Sequence, residues 1–323
     1  MAETLSHIEK WSQEVHTVRL GAGPAEGGTR ATVLEVGGEK TLPFLLKEGM
    51  IPHRPLIAAE VYDVPDADWP AGLTQDLAPV LRDPVAWAKF ALKEAGADLI
   101  CLRLQGIHPE EAKTDKDRAL ALTRAILKEV GVPLVVLGCG DAASDNEVLP
   151  AVSEATKGER LLFGDVVQEN YKTLAAACVA DGHNIVAESP IDVNIAKQLN
   201  ILLTDLGVPA DRIVINPTIG ALGYGMEYAY SIMERARNAA LSGDKMLAMP
   251  FICFVGPEAW KTKEAKAGPQ EAPEWGPAAE RGVMWEVVTA LAMLQAGAGI
   301  LTMLHPQAMQ IVRRAIDDLM AGR

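Results

Sequence analysis

Ile213-Val-Ile-Asn-Pro-Thr-Ile-Gly-Ala-Leu-Gly-Tyr-Gly-Met-Glu-Tyr228 carries the clearest architectural signature in this chain. A β-branched run ends in the polar Asn216, passes Gly220, Gly223 and Gly225, and enters a helix. Glycine lets a backbone approach a ligand closely, and a helix N-terminus offers unpaired N–H groups. Sites of this construction stand at the C-terminal end of a parallel strand.

On either side of that segment, short apolar runs alternate with amphipathic ones. The pattern predicts strands at Leu56–Tyr62, Asp98–Leu104, Pro133–Leu137, Leu161–Val166, Asn184–Ala187, Ile213–Ile215, Met246–Phe254 and Gly299–Leu304. It predicts a helix after each, for example at Pro84–Ala95, Lys116–Val130, Tyr171–Ala180, Val193–Leu206, Glu227–Leu241, Pro277–Gln295 and Gln307–Met320. Gly96, Gly131, Gly207 and Gly297 mark returns from helix to strand. Eight βα units in succession specify an α/β fold, a (β/α)8 TIM barrel over residues 56–323. An open dinucleotide-binding sheet would carry Gly-x-Gly-x-x-Gly after its first strand, and nothing of that kind follows Leu56–Asp63.

Residues 1–55 read as an N-terminal extension rather than a second domain. Within it, Arg30–Phe44 is predicted to form a β-hairpin about Gly37-Gly38, lying across the N-terminal mouth of the barrel or serving as an attachment surface. The largest interruption, Gly256–Gly276, falls between strand seven and its helix, over the functional face. It carries Trp260 and Trp275. Packing onto the barrel is the expected role of an indole there, contact with a partner the sharper one.

Composition narrows the function classes. Hydrophobic residues make up 49% of the 323 and aromatics only 5%, the balance of parallel strands covered on both faces by helices. A formal charge of −13 argues against nucleic acid or an anionic membrane as partner. No apolar run approaches the ~20 residues of a membrane helix. Residues 1–7 carry no basic-then-apolar leader, so a cytoplasmic location is expected. Cys101, Cys139, Cys178 and Cys253 are scattered without a Cys-x-x-Cys pair, which speaks against disulfides and against a cluster carried by this chain alone.

Polar residues at the C-terminal strand ends are the site candidates: Asp63, Gln105, Asp141, Asp165, Glu188, Asn216 with Thr218, and His305. Asp141 and Thr218 are equally readable as helix caps. Asp165 interrupts an apolar run and demands a specific partner. His305, before Pro306, is read as a strand-end hydrogen-bonding group rather than a metal ligand, and His183 as structural. No metal-ligand spacing is present, and Cys139 has no adjacent base to make it a nucleophile. No complete catalytic set emerges.

The Ile213–Tyr228 stretch, the Gly138-Cys-Gly-Asp141 strand end, Asp98-Leu-Ile-Cys-Leu-Arg-Leu104 and the order of eight βα units together resemble one family. It is the small (delta) subunit of the corrinoid/iron–sulfur protein of the reductive acetyl-CoA (Wood–Ljungdahl) pathway. The resemblance implies a heterodimeric methyl carrier. Its large (gamma) subunit bears the 4Fe-4S cluster and a mobile corrinoid-binding domain, and the barrel helps to enclose the corrinoid (cobalamin) at the interface. Methyl then passes from methyltetrahydrofolate:corrinoid methyltransferase, through this carrier, to CO dehydrogenase/acetyl-CoA synthase. The resemblance also implies cobalt held without a protein imidazole, so His305 is not its ligand. On this reading the isolated chain is not an enzyme, and the corrin lies over Asn216, Thr218, Gly220, Ala221, Leu222, Gly223 and Tyr224. The alternative is a stand-alone barrel methyltransferase holding a pterin among Asp63, Asp165, Glu188 and Asn216. A Schiff-base aldolase is disfavoured because the assigned strand ends lack lysine.

Overall fold

Two small strands precede the barrel and close its floor. In the computed structural model, which describes residues 8–111 and 113–322, β1 (Val18–Leu20) pairs antiparallel with β2 (Leu34–Val36). Eight parallel strands follow: β3 (Leu56–Tyr62), β4 (Leu99–Arg103), β5 (Leu134–Leu137), β6 (Leu162–Val166), β7 (Asn184–Glu188), β8 (Ile213–Asn216), β9 (Phe251–Phe254) and β10 (Ala298–Met303). Neighbours pair in sequence order, and β10 returns to β3, closing the (β/α)8 barrel. Residues 1–7, on which the reading of the leader rests, lie outside the described residues.

Side chains alternate across each strand, so one period-two pattern builds two cores. Leu56, Ala58, Leu99, Cys101, Val135, Leu137, Leu162, Val186, Val214, Ile252 and Ile300 fill the barrel. Their neighbours, among them Ile57, Ala59, Ile100, Leu102, Val136 and Phe163, face the helices. Val18, Leu20 and Val36 belong to the interior cluster, so the β1–β2 sheet plugs the N-terminal mouth. A Cβ on Gly299 of β10 would run into the Val36 side chain, which is why a strand interior tolerates glycine there.

The helices are α1 (Ala71–Leu77), α2 (Pro84–Phe90), α3 (Lys116–Glu129), α4 (Ala142–Ala155), α5 (Lys172–Asp181) and α6 (Val193–Asp205). They continue as α7 (Met226–Leu241), α8 (Val255–Trp260), α9 (Lys263–Lys266), α10 (Ala278–Gln295) and α11 (Pro306–Met320). Among the described residues no helix is long and apolar enough to cross a membrane.

Three expectations need correction. The turn at Gly37-Gly38 does not join two paired strands. Both glycines have positive φ, but they follow β2, whose partner is Val18–Leu20. Pro43 has no N–H to give a returning ladder, and residues 41–48 form turns instead. The seventh barrel strand begins at Phe251 rather than Met246, because Lys245–Leu247 is a 3-10 turn capped by the Asp244 carboxylate. The interruption at Gly256–Gly276 is not all loop: it holds most of α8, all of α9 and a 3-10 turn at Pro273–Trp275.

Candidate functional site at the barrel mouth

The same parity that fills the barrel with apolar groups turns polar in its uppermost layer. Two residues beyond Ala58 comes Glu60, beyond Cys101 comes Arg103, beyond Val186 comes Glu188, beyond Val214 comes Asn216, and beyond Ile300 comes Thr302. Each of these side chains therefore enters the C-terminal end of the barrel.

Glu60, fully buried, is the anchor of this layer. It accepts from Arg103 Nε at 2.6 Å, from the Tyr62 hydroxyl at 3.0 Å and from Thr302 Oγ1 at 3.0 Å. The Arg103 guanidinium lies over Tyr62 at 5.8 Å and Phe254 at 5.5 Å from their ring centroids. Burial works against its charge, but Glu60, foremost among its neighbours, holds the guanidinium firmly protonated. Burial also pushes the Tyr62 hydroxyl up, reinforced by Glu60.

Asp165 and Glu188 form a second cluster. Asp165 accepts from Asn216 Nδ2 at 3.5 Å, the specific partner that its place in an apolar run demands. Glu188 accepts from Thr218 Oγ1 at 3.3 Å. Burial raises both carboxyls above the usual range, Asp165 further through its neighbour Glu188, while Arg103 opposes each shift. A cavity of about 120 Å³ opens among Arg103, Gly138, Gly140, Asp145, Asp165, Asn170 and Glu188.

Beyond β8 the Gly-rich loop is tied down at both ends. Thr218 has φ 57°, rare for a β-branched residue, held by its N–H on Asn216 Oδ1 (3.0 Å) and its hydroxyl on the Ser189 carbonyl (3.1 Å). Leu222 N–H donates to Thr289 Oγ1 and its carbonyl accepts from Trp285 Nε1, fastening the loop to α10. The Tyr224 hydroxyl donates to Glu264 of α9 at 3.0 Å. A Cβ on Gly220 would strike the Tyr224 carbonyl, so Gly220 closes the loop on itself. Gly223, at φ 78°, has nothing near its missing Cβ. Asn216 and Ala221 are buried beneath the loop, Thr218, Gly220 and Leu222 are half-buried, and Gly223 and Tyr224 are exposed.

The remaining candidates divide by role. Asp141 caps α4 through Ser144 N–H, and the cap of α7 is Gly225 rather than Thr218. Asp63 accepts from the Gly106 and Val64 N–H groups, which sets the turn that carries Gln105. Cys139 shares Asp145 with two backbone N–H groups, and burial raises its thiol to about 11, leaving it protonated at neutral pH. His183 is structural, joining the Leu161 N–H and the Ser153 carbonyl. His305 caps α11 through Gln307 N–H and stacks on Trp260 with centroids 5.5 Å apart.

The two tryptophans of the interruption part company. Trp260 is buried and donates to Glu286 Oε2 at 2.7 Å. Glu286 also receives the Leu304 and His305 N–H groups, fixing α8, α10 and the end of β10 at one carboxylate. Trp275 stays 38% exposed beneath the Lys263 and Arg281 charges. Arg103, Glu60, Asp145 and Glu286 were not among the polar strand-end candidates of the sequence expectation, although Arg103 closes β4. The signal for the first two was a charge at an inward position inside an apolar strand.

Residues 17–307 match the family described as CO dehydrogenase/acetyl-CoA synthase delta subunit. The acetyl-CoA decarbonylase/synthase complex subunit delta of Methanopyrus kandleri is 35% identical over 311 residues, 96% of this chain and 76% of that protein. Its counterpart in Archaeoglobus fulgidus is 34% identical over 316 residues, 96% of this chain and 70% of the relative. Among solved structures, a dihydropteroate synthase from Coxiella burnetii in complex with pteroic acid superposes with a TM-score of 0.57 at 15% identity, covering 85% of this chain and 95% of the other. The Thermus thermophilus dihydropteroate synthase in complex with 6HMPPP gives 0.54 at 18% identity, with 87% and 98% covered. At such identities the likeness is one of fold.

Proposed function

This chain belongs to the CO dehydrogenase/acetyl-CoA synthase delta-subunit family, and from that premise we propose that it is the rigid half of a corrinoid methyl carrier. It is a delta-type subunit of the acetyl-CoA decarbonylase/synthase complex, in the acetyl-CoA pathway. Subunit membership disfavours the stand-alone methyltransferase. On our reading the chain is not catalytic by itself. Its partners are a large corrinoid- and cluster-bearing subunit, the methyltransferase that loads the carrier, and the synthase that unloads it.

The observation that carries this reading is the loop from Asn216 to Gly225. It is fastened to α10 and α9, yet it leaves Gly223 and Tyr224 exposed. A flat group fits such a surface: Gly223 meets no neighbour, Leu222 is half-buried, and Tyr224 offers an exposed ring. Thr218, Leu222, Gly223 and Tyr224 would touch the corrinoid, with Asn216, Gly220 and Ala221 shaping the loop from below. The corrinoid supplies a cobalt that accepts and donates the methyl group. This chain's part is to hold one face still and keep water from it. A rigid loop suits that role, and the strain at Thr218 persists only where surrounding bonds over-determine it.

Co-expression with the large subunit tests the proposal. Corrinoid absorption bands are expected in the co-purified, anaerobic pair and not in this chain alone. Tyr224→Ala should loosen corrinoid retention, and Gly223→Ala, with its strained φ, should do so less. Gly220 is the wrong probe, because any side chain there breaks the loop itself. A colourless pair, or full retention in the Tyr224 variant, would overturn the placement.

A further inference from the structure

The cavity beside the Gly-rich loop is too small for a macrocycle but is lined for hydrogen bonding. Arg103 is prepared in an unusual way. Its Nε is engaged by Glu60 and its faces lie against Tyr62 and Phe254, but among the described residues neither terminal nitrogen has a protein acceptor. A fork with its stem locked and its tips free is preorganised to donate two parallel N–H bonds. On the same cavity wall, Asp165 and Glu188 each commit one oxygen, to Asn216 and Thr218, and keep the other without a protein donor among the described residues.

Charge narrows the ligand. An anion would face Asp145, Asp165 and Glu188, and a simple cation would face the free edge of Arg103. The guanidinium is already paired with Glu60, which weakens its pull on a further carboxylate. A neutral planar group with a carbonyl beside an N–H satisfies both walls. We propose that this cavity binds an amide-type edge, its carbonyl accepting from the Arg103 terminal N–H groups and its N–H donating to Asp165 and Glu188. Corrinoids carry acetamide and propionamide arms around the ring, and a ring lying over Gly223 and Tyr224 could lower one such arm into the cavity. The source of the amide, though not the chemistry of the cavity, rests on the function proposed above.

The test has two arms. In the first, the full chain alone is titrated with propionamide, propionate and isocytosine by ligand-observed NMR. Binding of propionamide or isocytosine but not propionate, weakened about tenfold in Arg103→Lys, is the expected result. Arg103→Lys keeps the charge beside Glu60 and removes the fork. Glu188→Gln, which loses an acceptor, should weaken binding as well and stands in if the first variant does not fold. Equal binding of propionate, no binding of either neutral probe, or unchanged affinity in both variants overturns the amide pocket. In the second arm, the chain in complex with the large subunit is assayed for corrinoid retention, comparing intact cobinamide with cobinamide whose amides are hydrolysed. Tighter retention of the intact form, lost in Arg103→Lys, identifies the corrinoid arm as the source. A positive first arm without that preference keeps the pocket, assigns it a free heterocycle, and leaves the corrin placement to fail by itself.

Discussion

Replacing Arg103 by Met should destabilise the barrel far more than replacing both members of its ion pair. Glu60 is fully buried, with the guanidinium Nε 2.6 Å away. Breaking a buried pair by removing one partner costs about 3–5 kcal/mol, because a charge is left in a medium that cannot solvate it. Two hydroxyls, from Tyr62 and Thr302, remain on Glu60 and keep the loss near the lower limit, about 3 kcal/mol. At roughly 2 °C per kcal/mol for a chain of this size, Arg103→Met should melt about 6 °C below the parent. In Glu60→Gln/Arg103→Met no charge is stranded, the amide still meets both hydroxyls, and Met fills the space between Tyr62 and Phe254. The double variant should lie within about 1 kcal/mol of the parent, the remainder being lost cation–π attraction. Thermal melts followed by circular dichroism, completed with Glu60→Gln alone, give the four corners of a cycle. If Arg103→Met melts with the parent, or the double variant falls by the sum of the singles, Glu60 and Arg103 are not the coupled pair described.

Gly299→Ala should cost about 1–3 kcal/mol by overpacking against Val36, and Val36→Ala in the same chain should restore part of it; equal melting of single and double variants would contradict the plug. Glu286 is pushed by burial up to about 7, against the pull of three donors, Leu304 N–H first. A carboxyl whose folded pKa is raised binds its proton more tightly when folded, so its stabilising contribution is complete below the unfolded value and fades as pH rises through about 7. The shift corresponds to about 3 kcal/mol, so denaturation midpoints measured from pH 5 to 8 should fall, and the fall should flatten in Glu286→Gln. Trp260→Phe removes the indole N–H from that carboxylate and should cost about 1–3 kcal/mol, read as a lower urea midpoint and quicker proteolysis within residues 261–276.

The barrel was legible because each strand carries its own period-two pattern and each helix its own boundary. Leu56–Tyr62 is observed with the ends that its apolar run predicts, and Ile213 opens β8 where the β-branched run begins. The floor was harder to read. Gly37-Gly38 has the chemistry of a tight turn, but the partner of β2 lies on its N-terminal side, and pairing choice is a tertiary matter that local turn chemistry does not decide. At the mouth, Asp165, Glu188, Asn216 and Thr218 converge as their strand ends suggest. Arg103 and Glu60 were overlooked because each lies inside the run read as a strand, where a charge looks like an interruption of the core rather than its ceiling.

The floor plug also dictates an order of events at the ribosome. Val18, Leu20 and Val36 are synthesised before any barrel strand, yet the cavity they stopper has walls from every strand, including Ile300 of β10. A nascent chain must therefore carry this greasy sheet unhoused until β10 emerges and zips onto β3. Closure across nearly the whole sequence is slow, and an unhoused sheet edge in the interval is an invitation to aggregate. Slower synthesis of β9 and β10 lengthens that exposure.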